Sequence, residues 1–377
     1  MRIAIASVFT PSMRGGAEFL ADGLCAALQR AGHRIHRIVF PFSYASMADA
    51  VHSMDIWETQ DFSAFDGGGI DHVIGLKWPA YLLRHPRMVV WLLHQHRPAY
   101  DLFGTPFGFA AAQDSSVRLR DRIKAADLEC FRRMQAVFTI SERVSARLLM
   151  SLGVESTAMY HPPDAAESFW CAPASPYILV PSRLEALKRQ DLLLKALACS
   201  DPRVQVVIVG DGGQRVELER LASDLDLGNR VRFLGSVSRA HLIALYAHAT
   251  AVFFGPQDED YGYVTLEAML AGKPVITCTD SGGPLEFVMD GETGYVVAPE
   301  TDAIADALDK ILSNPARAVA MGMAGQAQYR RRIPTWDDVV DRLIQPMTSR
   351  GLARNTASRG LVPSPMSGSL SSSVPCA

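Results

Sequence analysis

Short apolar runs alternate with amphipathic stretches along most of the chain, and this alternation limits the folds available more than any other feature. Arg2–Val8 is typical of a β-strand, the periodicity of Ala17–Ala31 predicts a helix, and His33–Phe40 predicts the next strand. A strand, a loop and a helix repeat in units of about 30 residues, which indicates parallel sheets joined by helical crossovers. We therefore expect an α/β protein.

The alternation occurs twice, with a proline-rich interruption between the two halves of the 377-residue chain. The segment Ala172–Pro176 and the residues just before it show little periodicity, which is typical of an interdomain linker. The last residues, rich in serine and proline, lack the apolar content needed to bury a core. The expected organisation is a first Rossmann-like domain at 1–168, a second at 169–333, a helix at 334–349 that crosses back to the first domain, and a disordered tail at 350–377.

Composition excludes several classes of protein. The formal net charge is −3, so there is no basic field suited to nucleic acid. The six cysteines form no C-x-x-C pair, and no apolar run approaches the length of a membrane span. We expect a cytoplasmic protein with reduced thiols and no nucleic-acid partner. The basic stretch Val117–Arg133 leaves open a peripheral contact with the inner face of a membrane.

The most informative motif contains two glutamates, Glu259 and Glu267, separated by seven residues. Glu259 follows an apolar strand, and Gly262 precedes a helix that carries Glu267 in its second turn. The amides of Tyr263, Val264 and Thr265 at the start of that helix are expected to lack acceptors, which favours binding of a phosphate. A carboxylate on each side is suited to hold sugar hydroxyls.

The glutamate pair continues into Glu267-Ala-Met-Leu-Ala-Gly-Lys-Pro-Val-Ile276. With this motif the chain resembles the retaining glycosyltransferases of family 4 over about residues 1–345. The resemblance implies the GT-B architecture, in which two Rossmann-like domains face a cleft and a C-terminal helix crosses back to the first domain. It also implies that the second domain binds a nucleotide-diphosphate-sugar donor and the first domain faces a glycan or lipid-linked acceptor.

The resemblance also assigns roles to individual residues. Arg183 and Lys188, in Arg-Leu-Glu-Ala-Leu-Lys, correspond to the family's basic pair that holds the donor diphosphate. Charges of this kind can stabilise a departing diphosphate without a metal ion. Glu259 would hold the sugar and Glu267 the ribose.

On the first domain, the Gly15-Gly16 loop would reach towards the donor phosphate or the acceptor. A histidine after a strand would contact the donor sugar, and we assign this role to His94, with His96 as the alternative. Arg97 and Tyr100 are candidates for acceptor contact. We place acceptor recognition in the loops Phe42–Asp71 and Arg97–Asp114.

The function expected from the resemblance is retaining transfer of a sugar to a hydroxyl of a glycan or glycolipid, in the synthesis of surface polysaccharide. No metal and no cofactor other than the donor is expected. Two alternatives remain. One is a sugar-nucleotide-processing enzyme of the same fold, of epimerase or phosphorylase type, and the other is a non-catalytic GT-B scaffold.

Overall fold

The N-terminal half of the chain forms one six-stranded α/β domain. The computed structural model describes residues 1–11, 15–43, 46–62 and 69–348, so the expected tail at 350–377 lies outside the described residues. In chain order the elements of this domain are β1 (Arg2–Phe9), α1 (Gly16–Arg30), β2 (Arg34–Pro41), α2 (Met47–Thr59), β3 (His72–Gly75), β4 (Met88–Leu92), α3 (Asp114–Arg132), β5 (Ala136–Thr139), α4 (Glu142–Leu152) and β6 (Thr157–Ala158).

The C-terminal half repeats this architecture and ends in three helices. Its elements are β7 (Ile178–Pro181), α5 (Gln190–Cys199), β8 (Val206–Val209), α6 (Arg215–Asp224), β9 (Val231–Phe233), α7 (Arg239–His248), β10 (Ala251–Phe253), α8 (Tyr263–Leu270), β11 (Val275–Cys278), β12 (Gly294–Val297), α9 (Thr301–Ser313), α10 (Pro315–Arg332) and α11 (Trp336–Thr348). All residues of β7, β8 and β11 are buried, as expected for strands covered by helices on both faces.

The strand orders locate the edge of each sheet at which a ligand is expected. They are β2-β1-β3-β4-β5-β6 and β12-β11-β10-β7-β8-β9, with parallel pairing throughout the named strands. In open α/β sheets, ligands bind beyond the carboxyl ends of the two strands at which the chain reverses its direction across the sheet. These strands are β1 and β3 in the first domain, and β7 and β10 in the second.

The last helix, α11, returns to the N-terminal domain, where it packs against α1 and β4. A Cβ atom on Gly23 of α1 would lie 2.4 Å from the Trp336 ring, so the glycine permits this close contact. The Trp336 ring also meets Trp91 of β4 edge to face at 6.3 Å. The expected fold, with two Rossmann-like domains and a C-terminal helix that crosses back, is confirmed.

The helix α2 was not predicted, because the region Phe42–Asp71 was interpreted as a loop. Ser46 caps the helix by accepting a hydrogen bond from the amide of Asp49 at 3.1 Å. Ala50, Met54 and Trp57 are buried and share one face of the helix. The expectation of a continuous loop was therefore wrong, since the spacing of these residues provides a helical face for the core.

Candidate active site

The basic pair and Glu259 lie at the reversal point of the second domain. Arg183 and Lys188 follow β7, and Glu259 follows β10, which is the adjacent strand in the sheet. The amide of Gln257 donates a hydrogen bond to the carbonyl of Leu187 at 2.8 Å, which joins the two loops. The fold therefore brings two parts of the chain about 70 residues apart in sequence to one edge of the sheet.

Lys188 and Glu259 form a direct ion pair between the lysine Nζ and the carboxylate Oε2. Both side chains are mostly buried, and the Lys188 ammonium also lies 5.5 Å from the centre of the Phe254 ring. The pair places a positive and a negative group side by side beyond the carboxyl ends of β7 and β10. Such a pair can receive an anionic phosphate on one side and hydroxyl groups on the other.

Arg183 is exposed and makes no ion pair or side-chain hydrogen bond within the part of the chain that the structure describes. Its backbone is nevertheless held firmly, because the loop packs directly on the glycine-rich turn after β8. A Cβ atom on Gly210 would lie 2.1 Å from the carbonyl oxygen of Ser182, and one on Gly212 would lie 2.4 Å from that of Leu184. The Arg183 guanidinium is thus available to a ligand on a well-supported loop.

Arg189, which follows Lys188, adopts a backbone conformation that is unusual for a residue with a side chain. Its φ is +53°, in the left-handed region that glycine adopts most easily. The side chain compensates by donating to the carbonyl of Gly255 at 2.8 Å and pairing with Asp280 at 2.7 Å. Arg189 therefore ties the basic loop to the segments after β10 and β11.

The start of α8 forms one wall of the site. Gly262 has a φ of +87° and precedes the helix, while Tyr263 and Val264 form its first turn. Three free amides were expected here, but the Thr265 amide donates to the carbonyl of Gly262 at 3.0 Å, so that part of the expectation was wrong. The amides of Tyr263 and Val264 have no acceptor among the described residues.

Glu267 lies deeper than Glu259, with 8% of its surface exposed. One carboxylate oxygen accepts from the Arg239 guanidinium at 2.6 Å and the other from the Tyr246 hydroxyl at 2.7 Å. Burial raises the pKa of Glu267, although Arg239 and the hydrogen bonds oppose the rise. A carboxylate offers about four acceptor positions, so two protein donors leave room for hydroxyl groups of a ligand. Its role towards ribose stays a prediction.

The N-terminal domain meets this wall at the start of α1. Gly15 precedes the helix, and a Cβ atom on Gly16 would lie 2.9 Å from the Tyr263 ring. The first turns of α1 and α8 therefore face each other across the cleft, with glycine allowing the close approach. Two helix starts therefore lie close together here, and the positive end of a helix favours an anionic ligand.

The two candidate histidines have different surroundings. His94 lies half-buried, with Nδ1 2.7 Å from the carbonyl oxygen of Gln95, so Nδ1 carries the proton and Nε2 is left as an acceptor. Burial lowers the pKa of His94, although the nearby Asp260 opposes this. His96 instead packs against the Trp78 ring at 4.2 Å, and burial lowers its pKa to about 3. This placement favours His94 as the residue that faces the cleft.

Arg97 and Tyr100, the candidates for acceptor contact, both have partners within the protein, and their contact with an acceptor stays a prediction. The Tyr100 hydroxyl donates to the buried Asp127 at 2.7 Å. Arg97 joins an ion cluster with Asp101, Asp258 and Asp260. The expectation overlooked these partners, because aspartates 258 and 260 lie more than 150 residues further along the chain.

Two further features of the site were missed. Arg143 and Arg147 of α4 bind the aspartates on either side of Glu259. Lys77 follows β3 at the reversal point of the first domain, and its charge helps to lower the pKa of His94. A signal for Lys77 was available, since it is one of only six lysines and follows a predicted strand. No comparable signal identified the arginines.

Several basic side chains of helix α3 pair with groups of the N-terminal domain itself. Arg122 pairs with Asp55 and Glu58, and the Lys124 ammonium lies 5.6 Å from the Tyr100 ring centre. These contacts leave less charge for an anionic surface. Over the described ranges of the chain, no helix is both long and apolar enough to cross a membrane.

Comparison with known proteins gives the site a family context. Residues 172–328 match the family model described as glycosyl transferases group 1. The GDP-mannose-dependent alpha-(1-6)-phosphatidylinositol monomannoside mannosyltransferase of Mycobacterium tuberculosis is 33% identical over 244 residues, which cover 57% of this chain and 62% of that protein. The chain spans 33% to 62% of the length of three curated mannosyltransferases compared with it.

Solved structures are similar over nearly the whole chain. Sucrose-phosphate synthase from Thermosynechococcus elongatus superimposes with a TM-score of 0.72 at 19% identity, covering 91% of this chain and 97% of that one. The Anabaena protein Alr3699/HepE, solved with UDP and glucose, superimposes with a TM-score of 0.67 at 18% identity. The superposition covers 91% of this chain and 99% of that one. These likenesses show the GT-B fold. The C-terminal domain is therefore similar to the glycosyl transferases group 1 over residues 172–328, within a chain that has the GT-B fold.

Proposed function

We propose that the protein is a retaining, metal-independent glycosyltransferase that moves a sugar from a nucleotide-diphosphate-sugar to a hydroxyl of a glycan or lipid-linked acceptor. The observation that carries the proposal is the Lys188–Glu259 ion pair, with the start of α8 beside it. Arg183, which has no ion-pair partner among the described residues, lies on the same loop as Lys188. The relative from Mycobacterium tuberculosis is named for its use of GDP-mannose, and the Anabaena structure was solved with UDP and glucose. A role in surface polysaccharide synthesis is part of the proposal.

The proposed chemistry follows from the charges. Arg183 and Lys188 bind the diphosphate and stabilise the negative charge that develops on it as the sugar departs. The free amides of Tyr263 and Val264 add donors at the positive end of α8. Glu259 accepts hydrogen bonds from the sugar hydroxyls, Glu267 accepts them from the ribose, and neutral His94 orients the sugar from the opposite domain.

We place the acceptor on the N-terminal domain. A cavity of about 290 Å³ lies there beyond the ends of β2 and β4, lined by Phe42, His96, Phe107, Phe109 and Gln113. Aromatic faces and an amide suit the apolar and hydroxylated faces of a neutral sugar or glycolipid portion.

Thermal-shift and calorimetric titration against UDP, GDP, ADP and their sugars tests the donor site. We expect one nucleotide class to stabilise the protein equally with EDTA and with Mg²⁺. Removing both charges in Arg183→Ala/Lys188→Ala should weaken binding by about tenfold or more, since hydrogen bonds to charged groups are the strong ones. Lys195→Ala is the matched control, because Lys195 lies on α5 and pairs with Asp191 on the same helix.

Product analysis then tests the reaction. A donor consumed only when an acceptor is present, with the anomeric configuration kept in the product by NMR, supports the proposal. Conversion of the donor into an epimeric sugar nucleotide without an acceptor would instead identify an epimerase. Failure of a folded protein to bind any of the nucleotides would refute the donor site and favour a scaffold.

A further inference from the structure

The two neighbours of Glu259 in sequence are both held by the opposite domain. Arg147 of α4 pairs through Nη1 with the carboxylate of Asp260. Its Nη2 donates to the carbonyl oxygen of Asp258 at 3.0 Å and pairs with the Asp258 carboxylate at 3.1 Å. One guanidinium thus spans the residue before Glu259 and the residue after it.

This contact is buried and balanced in charge. The Arg147 side chain is 8% exposed, and three arginines of the N-terminal domain (97, 143 and 147) face three aspartates (101, 258 and 260). Burial alone would raise the pKa of Asp260, but Arg147 and Arg97 outweigh it and hold that pKa well below the usual range. The carboxylate is therefore charged at neutral pH and bound to Arg147.

The main chain of Glu259 itself is fixed from its own domain. Its amide donates to the carbonyl of Ser281 at 2.9 Å, and its carbonyl accepts from the amide of Gly283 at 2.8 Å. A Cβ atom on Gly282 would lie 2.5 Å from the Glu259 carbonyl oxygen, so the two segments are in direct backbone contact. Arg147 supplies the restraint from the other side of the cleft.

We propose that Arg147 is a positioning residue that sets the place of the Glu259 carboxylate when the two domains meet. The inference rests on the proposed function, since it concerns how Glu259 meets the donor sugar. The ion pairs of the Arg147 side chain are with Asp258 and Asp260, the neighbours of Glu259. It acts through the backbone of 258–260, so the sugar contact forms correctly only in the closed molecule.

The geometry requires arginine at this position. Three acceptors in different directions are bound by one planar fork, whereas a lysine ammonium in the same place could not span Asp258 and Asp260 together. Arg143 provides a matched control from the same helix. It is 40% exposed and its side chain pairs with Asp258 alone, so it contributes to the domain contact without bridging Glu259.

The test compares two ligands that differ only in the sugar. Dissociation constants are measured by calorimetry for GDP and GDP-mannose and for UDP and UDP-glucose, using the pair that binds wild-type protein. The quantity compared is the dissociation constant of the sugar nucleotide divided by that of the nucleoside diphosphate. We expect this ratio to rise about tenfold in Arg147→Lys and in Arg147→Ala. Arg143→Ala should leave that ratio within about twofold of wild type. The kcat of the Arg147 variants should fall as binding of the sugar nucleotide weakens relative to that of the diphosphate.

A double-mutant cycle with Glu259→Gln separates positioning from a purely structural role. In the Glu259→Gln background, Arg147→Ala should cause no further change in the ratio of the two dissociation constants. Equal weakening of both ligands, or additive effects in the cycle, would overturn the inference. If Arg147→Ala does not fold, Arg147→Lys and Asp260→Asn carry the same comparison. Absence of any nucleotide binding in the wild-type protein would count against the proposed function instead.

Discussion

At the scale of single residues, His94 shows how the surroundings decide what a side chain can do. The hydrogen bond from Nδ1 to the Gln95 carbonyl leaves Nε2 as an acceptor, and burial disfavours the charged imidazolium. Lys77 and Arg97 favour the neutral form as well, while Asp260 opposes it. His94 is therefore suited to accept a hydrogen bond from a sugar hydroxyl, not to carry a positive charge to the diphosphate.

The pH dependence of kcat tests this state of His94. A pKa below the ordinary value of about 6.5 means that more than half of the His94 side chains are neutral at that pH. As the pH is lowered and the imidazole gains a proton, we expect kcat to fall with a midpoint below about pH 6.5. His94→Phe should lower kcat by about tenfold, because it removes one hydrogen bond to the sugar. The control is His241→Gln, since His241 is an exposed residue of α7.

A rise in kcat centred at pH 6.5 or above, lost in His94→Phe and kept in His241→Gln, would contradict this assignment. It would show that His94 gains its proton at an ordinary or raised pH.

At the scale of elements, α8 depends on the glycine before it. Gly262 combines a φ of +87° with close contacts, since a Cβ atom there would lie 3.0 Å from the Pro284 ring. Any larger residue would strain the backbone and push α8 away from the segment at 282–284. The helix start and the loop that carries Glu259 would then move together.

Gly262→Ala is expected to weaken binding of the nucleoside diphosphate as well as stability. Left-handed strain alone costs about 1–2 kcal/mol, and the clash with Pro284 adds to it. Gly32→Ala is the control, because Gly32 has a φ of +81° with no atom near its Cβ position and lies at the end of α1. Denaturant unfolding and calorimetry measure both effects. Equal loss of stability in the two variants, with unchanged binding in both, would contradict the role given to Gly262.

Sequence reasoning succeeded for elements whose signal is local. The alternation of strands and helices predicted both sheets, and the spacing of Glu259, Gly262 and Glu267 placed all three around one helix start. It failed for contacts made across the cleft. Arg147 and Asp260 are 113 residues apart and belong to separate domains, so neither periodicity nor spacing relates them. The helix α2 was overlooked because its apolar face is short and flanked by polar residues.

At the scale of the whole molecule, the chain crosses between the domains twice, and aromatic rings pack at both crossings. At the first, the His161 ring stacks on Tyr261 at 4.4 Å and Nε2 lies 2.6 Å from the Tyr263 hydroxyl. At the second, Trp336 lies 5.9 Å from the same histidine ring. The C-terminal helix thereby stabilises the N-terminal domain and joins it to the start of α8.

Trp336→Ala should uncouple the two domains during thermal unfolding. The substitution removes the contacts of a large ring with Gly23 and Trp91. It should lower the free energy of unfolding, mainly that of the N-terminal domain, by on the order of 3 kcal/mol. Differential scanning calorimetry should show one transition in the wild-type protein and two in the variant. Trp170→Ala, at a side chain 46% exposed, should keep one transition. A single, unshifted transition in Trp336→Ala would refute the coupling.

The run Asp258-Glu259-Asp260 has a consequence for the ligand's entry and departure. Within the described C-terminal domain only Lys188 pairs with these three acids, and the remaining compensation comes from arginines of the other domain. An open molecule would therefore present a patch of negative potential beside the phosphate site, and closing would cancel it. Under the proposed function, separation of the domains after transfer would restore the patch and repel the nucleoside diphosphate product, so that opening would favour its release.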